Sequence, residues 1–188
     1  MPTITHLSPE AFGTAVKGLA DVLTDAVADG ASLGFVQPFD HEAAAAWWHT
    51  RQPAVDAGTL RVWAAETPDG IVGTVSLALE PKPNGRHRAE IVKLMVHRTA
   101  RGRGLARRLL STAEEAAQEA GVTLLLLDTE KDSTADRLYA TTGWTRFGTV
   151  PSYATDPSGA LQDCSFFYKV LGDGRSWPPQ PAGVSPAR

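Results

Sequence analysis

Apolar residues recur at helical spacing near the start of the chain. Phe12, Val16, Leu19, Leu23 and Val27 fall on one face. Ser8-Pro9-Glu10 reads as an N-cap followed by proline at the first helical position, and Gly30 as the stop. An apolar loop from Ala31 to Phe39 follows. Asp40 then predicts the cap of a second helix that carries Ala43 to Trp48 and runs towards Gly58. Beyond it the pattern becomes β-rich. Leu60 to Ala65 and Ile71 to Leu79, separated by Thr67-Pro68-Asp69-Gly70, predict a hairpin. The turn Pro81 to Gly85 leads into a strand from Arg88 to Val96. Leu105, Leu109, Ala113, Ala116 and Ala120 share one face of a helix over 104–120, which Gly121 ends. Leu124 to Leu127 predicts a short buried strand, 133–141 a helix ending at Gly143, and 144–150 and 166–170 two more strands. The resulting order (two helices, three strands, helix, strand, helix, two strands) predicts an α/β sandwich around a mixed sheet. Residues 1–171 read as one domain. The Pro/Gly-rich stretch Gly172 to Arg188 reads as a loose tail.

Composition narrows the partners. The 188 residues are 43% hydrophobic and 21% charged, ordinary for a globular domain with a real core. The net charge of −3 argues against general nucleic-acid binding, so the basic cluster over 98–108 suggests a small anionic ligand. No apolar run approaches the ~20 residues of a membrane span. Met1 to Pro9 lacks a basic region followed by an apolar stretch, so a non-secreted, non-membrane protein is expected. The single cysteine, Cys164, excludes an internal disulfide and suits a reducing compartment, which points to the cytoplasm. The five histidines show no ligand spacing, and no metal is expected.

The stretch with the most chemistry runs from Val96 to Leu110. It joins an apolar strand to an apolar-periodic helix through Arg101-Gly102-Arg103-Gly104-Leu105-Ala106. A glycine turn entering a helix presents free backbone N–H groups and the positive end of the helix dipole, a ready anion site. Arg101 and Arg103 add donors suited to phosphate. A nucleotide-triphosphate loop needs Gly-Lys-Ser/Thr, which is missing. A dinucleotide turn needs a third glycine, where Arg107 stands, and five residues between Val96 and Gly102 are long for it. A surface turn with a glycine cap is the plain alternative. Arg101-x-x-Gly104-x-Ala106 best matches the Gln/Arg-x-x-Gly-x-Gly/Ala pyrophosphate loop of the GCN5-related N-acetyltransferases, which bind acetyl-coenzyme A.

A second pattern supports that resemblance. Asp132-Ser133-Thr134-Ala135-Asp136-Arg137-Leu138-Tyr139 followed by Gly143-Trp144 is similar to the superfamily's Asn-x-x-Ala-x-x-Leu-Tyr-x-x-x-Gly-Phe, with Asp132 and Trp144 as departures. More narrowly, segments between about 30 and 170 resemble the tabtoxin-resistance acetyltransferases. These include Gly30 to Phe35, Lys82 to Gly85, Arg88 to Val96, Leu127 to Glu130 and Ala154 to Gly159.

The resemblance implies a central, mostly antiparallel sheet with helices on both faces and a splay between the fourth and fifth strands. It implies acetyl transfer from acetyl-coenzyme A to the amine of a small, polar, amino-acid-like molecule, with detoxification or self-resistance as the role. The pantetheine arm would pair with the backbone of Leu94, Met95 and Val96. Its pyrophosphate would lie on Arg101, Gly102, Arg103, Gly104, Leu105 and Ala106, with Asp132 and Ala135 on the far side. Tyr139 is the implied acid for the leaving thiolate; a tyrosine merely packed on the sheet is the alternative. Of Glu90 and Asp128, one would take the amine's proton and the other hold the substrate ammonium. Spacing does not say which, and each has an ordinary reading: a strand-edge charge for Glu90, a turn cap for Asp128. Ser32, Phe35 and Tyr153 lie in segments expected to shape the acceptor pocket, whereas Trp47 and Trp48 are better read as packing. A non-catalytic acyl-coenzyme A sensor and a peptide N-acetyltransferase remain alternatives, as does either a monomer or a homodimer.

Overall fold

A computed structural model describes residues 1–172. The elements follow in order: β1 (Thr3–His6), α1 (Pro9–Ala28), α2 (His41–His49), α3 (Gln52–Asp56), β2 (Leu60–Thr67), β3 (Gly70–Leu79), β4 (Arg88–Val96), α4 (Leu105–Glu119), β5 (Leu124–Glu130), α5 (Thr134–Ala140), β6 (Thr145–Thr155) and β7 (Leu161–Val170). The strands form a seven-stranded sheet in the order β1-β2-β3-β4-β5-β7-β6, antiparallel except for β4 against β5. No described helix is long and apolar enough to cross a membrane. The expected loose tail lies almost wholly outside the described residues.

Side-chain alternation sends the sheet's apolar residues into two cores. One, with Leu105, Leu109 and Ala113 of α4, contains Leu125, Leu127, Tyr139 and Phe167. The other packs Phe12, Leu19 and Leu23 of α1 and Trp48 of α2 against Val62 and Ala64. Complete burial of each such Leu or Phe contributes about 1.5–3 kcal/mol. The helix starts are built as expected. Ser8 accepts from the Ala11 N–H at 3.2 Å, Asp40 from Ala43 at 2.8 Å and Ser133 from Asp136 at 3.1 Å.

Several boundaries depart from expectation. β1 was missed because its Thr-Ile-Thr-His run is too short to show a pattern; it pairs with β2 from Trp63 to Glu66. The second helix does not run unbroken to Gly58. It stops at His49 and a new helix starts with Pro53 in its first turn, where the lost N–H has no partner to lose. The last two strands are longer than expected. Pro151 and Ser152 (φ 51°) look like an ending but form a bulge, and the hairpin closes further on. There the Asp156 side chain accepts from the Ser158 and Ala160 N–H groups.

Two features position the site. β4 pairs with β5 only from Arg88 to Glu90 against Leu124 to Leu126, after which the strands part. In the same stretch β4 bulges at Lys93 (φ 54°), where the β3–β4 register shifts. The bulge switches parity. Ala89 and Ile91 face the α4 core before it and Leu94 and Val96 after it, while Met95 turns to the α1 core.

Candidate active site

Where β4 and β5 separate, a cleft of about 510 Å³ opens. Its walls are the end of α1 with the loop to Leu33, the backbone of Leu94 to Val96, the turn into α4, and the β5–α5 connection. Leu94, Met95, Val96, Arg101, Gly102, Gly104, Leu105, Ala106 and Ala135 all line it, as does Ser32. Sequence reasoning missed Arg107, Thr129, Glu130, Ser133, Thr134 and Leu138, which also line it. The last three belong to the Ser133–Leu138 pattern already singled out. Arg107 stands where a dinucleotide turn would carry its third glycine.

The glycine turn has the conformation an anion site needs. Gly102 and Gly104 sit at φ 75° and 74°, and a Cβ at either would meet no protein atom within 4 Å. Glycine is therefore required here by backbone conformation, and the space above it stays open. Gly104 caps α4 without a side-chain bond. Among the described residues, no protein acceptor engages the backbone N–H groups from Gly102 to Arg107. All but Arg103 belong to residues that line the cleft, at a positive helix end, and both the free donors and the dipole favour a bound phosphate.

The arginines divide differently from expectation. Arg101 donates its Nε to the Val96 carbonyl at 2.9 Å and pairs with Asp29, so its guanidinium braces the turn against β4 and α1. The same hydrogen bond and charge hold the Asp29 carboxyl below its usual range. Arg98 adds a second tie, its own N–H donating to Asp25 at 2.9 Å. Arg103, expected at the cofactor, is exposed and does not line the cleft; its side chain leaves the turn on the solvent side. Arg107 lines the cleft and donates to the Thr141 hydroxyl at 2.8 Å.

Asp132 does not line the cleft. Its left-handed backbone (φ 62°) turns the chain into α5, with its N–H donating to Asp136 at 3.0 Å and its carbonyl accepting from Arg137 at 2.7 Å. Asn and Asp are the side chains that best tolerate that conformation.

Tyr139 is buried in the sheet-side core, against Trp144 and Phe167 with both ring centroids at 5.8 Å. It does not itself line the cleft that its neighbour Leu138 lines. Burial first, and the Asp128 charge second, push its hydroxyl pKa upward, so it holds its proton at every physiological pH. No hydrogen-bond acceptor engages the hydroxyl among the described residues, and it is not a sealed atom.

Asp128 does not end its strand as expected; β5 continues to Glu130 and Asp128 stands within it, its carboxylate exposed. Cys164 Sγ–H donates to it at 3.4 Å. Burial, then the charge of Asp128 and this bond, push the Cys164 thiol up to about 12, which makes it unreactive. Glu90 is exposed on β4 and opposite Leu126, so it shares a sheet face with Asp128 two residues on. Neither carboxylate has an ion-pair partner among the described residues.

The acceptor-side residues meet around a tethered loop. Ser32 Oγ donates to the Thr155 carbonyl at 3.2 Å, and the Gln37 N–H to Pro157 at 2.8 Å, so the loop over 31–39 docks on the β6–β7 turn. Phe35 stacks on Phe39 and, edge-on, on Trp47. Tyr153 is half-exposed and stands edge-on to Phe166, which lies directly opposite Asp128 in the sheet. Lys93, which sequence reasoning passed over, reaches the same loop. Its signal was a lone charge in an otherwise apolar run, Ile91 to Val96. Among the described residues, no group of three His, Cys, Asp or Glu could hold a metal ion.

Comparison with known proteins agrees with this geometry. Residues 24–144 match the model of the acetyltransferase (GNAT) family. Rat N-acetyltransferase 8B is 35% identical over 68 residues, 36% of this chain and 31% of that protein. The match thus spans about a third of such curated relatives. Among solved structures, a ribosomal-protein-alanine N-acetyltransferase from Brucella melitensis superposes with a TM-score of 0.69 at 26% identity, covering 90% of this chain and 99% of its own. The Salmonella typhimurium protein yncA, solved with its cofactor acetyl-CoA, shares the fold at a TM-score of 0.72 and 22% identity over 92% of this chain and 95% of its own. With the family model covering most of the described residues around the splay and the glycine turn, the chain belongs to the GNAT family of acetyltransferases.

Proposed function

We propose that this protein is an acetyl-CoA-dependent N-acetyltransferase acting on the amine of a small, polar, amino-acid-like molecule of the toxin or antibiotic kind. Detoxification or self-resistance is the role this chemistry serves. The observation that carries the reading is a row of N–H groups from Gly102 to Arg107 beside the strand-splay cleft, unpartnered among the described residues, with two carboxylates unpaired among the same residues on one face of the sheet. The donors fit a diphosphate: all are backbone N–H groups, on a positive helix end, with no Cβ at Gly102 or Gly104 to block approach. The unpaired backbone edge of Leu94 to Val96 fits an amide-bearing arm laid along it like an added strand. Bound there, acetyl-CoA supplies the activated acetyl thioester.

The protein's own groups supply the rest. Transfer requires the acceptor ammonium to lose a proton, and the Glu90–Asp128 pair divides the tasks of base and ammonium holder. The N–H of Met95 or of Val96, whichever turns to the splay, stabilises the carbonyl oxygen as charge develops on it. Tyr139, held neutral by burial, keeps at Oη the proton that a departing thiolate needs. Transfer is direct within a ternary complex, since the one cysteine is a strongly protonated thiol.

The tethered 31–39 loop closes the acceptor side against the β6–β7 turn and supports a small acceptor over an extended peptide. The same reading places the protein in the cytoplasm as a monomer or homodimer, without nucleic-acid partners. The test is mass spectrometry of a panel of amino acids, β-lactam amino acids, amino sugars and short peptides incubated with acetyl-CoA. Acetylation confined to small amino-acid-like amines is expected. Binding of acetyl-CoA without turnover of any amine would instead indicate a sensor.

A further inference from the structure

Lys93 stands at the β4 bulge, where the strands part, and its ammonium is enclosed on the acceptor side. Nζ donates to the Leu33 carbonyl at 2.8 Å and lies over the rings of Phe35 and Trp47, at 5.4 and 5.1 Å from their centroids. An ammonium has three donors, and the described residues accept from one of them. No carboxylate lies within 4 Å of it among the described residues. Arg51 sits over the same Trp47 ring at 5.0 Å and adds a second positive charge. Burial, with the Arg51 charge, pulls the Lys93 pKa down, while Asp128 across the splay pulls it up. A cation so placed is weakly screened and gains more from an incoming anion than a surface lysine does.

The mouth of the splay is therefore polarised. Lys93 and Arg51 lie on the side of the loop and α2, and Asp128 and Glu90 lie on β5 and β4. A polycationic amine meets repulsion on one side of this arrangement. A zwitterion meets complementary charge on both. Building on the acetyltransferase reading above, we propose that Lys93 is a specificity-determining residue that pairs with a carboxylate of the acceptor, while Asp128 and Glu90 receive the acceptor's amine. The acceptor class is then narrower than small amines: it is an amine that also bears a carboxylate.

The experiment compares free L-amino acids with their methyl esters as acceptors for the wild type, Lys93→Gln and Lys93→Arg. Glutamine keeps a donor for Leu33 without the charge; arginine keeps the charge. Because each ester has its own amine reactivity, the quantity read is the acid-to-ester ratio of kcat/KM in each variant. A charge-assisted hydrogen bond predicts that Lys93→Gln lowers this ratio about 10- to 100-fold, chiefly through the acceptor KM. Lys93→Arg retains most of the wild-type ratio, and the acetyl-CoA dissociation constant is unchanged in both. Equal losses for acid and ester would show that Lys93 only holds the loop, and would overturn the proposal, as would no loss at all. Wild-type acetylation of esters but not of free acids also overturns it, and leaves the acetyltransferase reading standing. Absence of product from every amine removes both.

Discussion

Replacing Gly104 with alanine separates the two demands that the structure makes on the turn into α4. At φ 74° an added Cβ is strained by about 1–2 kcal/mol, yet it meets no protein atom within 4 Å. The stability cost is thus confined to that strain, roughly 2–8 °C in Tm for a domain of this size. Binding should suffer more. The Cβ projects into the open space through which a diphosphate must approach the N–H groups, and losing one charge-assisted hydrogen bond costs ~1.5–3 kcal/mol, about 10- to 150-fold in affinity. Gly58 provides a matched control: it has φ 68°, also has no atom within 4 Å of an added Cβ, and does not line the cleft. Gly58→Ala should lower Tm by a similar amount and leave acetyl-CoA affinity intact. Calorimetric titration with acetyl-CoA and thermal melts of both variants supply the data. Equal affinities for the two variants would refute the assignment of the turn as the phosphate site, whatever the melts show.

Other expectations follow from single contacts. Tyr139→Phe removes a hydroxyl with no partner among the described residues, so Tm should shift by less than about 2 °C, while single-turnover transfer falls ~10- to 100-fold at unchanged acetyl-CoA affinity. Asp128→Asn and Glu90→Gln, compared by pH–rate profile, should split. The variant lacking the base loses kcat and the acidic limb of its profile, and the variant lacking the ammonium holder raises the acceptor KM; matching profiles would contradict the division. Arg101→Ala should loosen the turn from Val96 and Asp29 and weaken acetyl-CoA binding several-fold, ~1 kcal/mol or less, because these ties are half-exposed. Asp156 is held at about 2 by bonds from Ser158 and Gln162 first, with the Ala160 N–H adding to them. Its contribution to stability is complete above the ordinary carboxylate value near 3.8 and is lost as pH falls towards 2. Melts of Asp156→Asn should lie below wild type at pH 6 and converge with it at pH 2.

The features written in local chemistry were legible in the sequence. Ser8, Asp40 and Ser133 cap helices by side-chain bonds, and Gly102 and Gly104 carry a backbone requirement, so residue type alone exposes them. The cofactor side of the cleft follows from the same turn. What stayed hidden depends on where chain segments distant in sequence meet. That Arg101 also braces the turn is hidden in the sequence, because its partner Asp29 at the end of α1 is 72 positions away. Asp132 resembles a ligand position because its left-handed backbone favours the same residue types as a polar contact does. Asp128 looks like a strand end because apolar periodicity stops at Leu127, whereas the backbone ladder to β7 continues to Glu130. Lys93 is invisible to period counting, since a bulge breaks the alternation at that residue.

Hydrogen exchange with and without acetyl-CoA tests the central claim most directly. The account predicts slowed exchange at the N–H groups from Gly102 to Arg107 and from Leu94 to Val96, with little change in β1 and β2. Protection elsewhere with the glycine turn unaffected would contradict it.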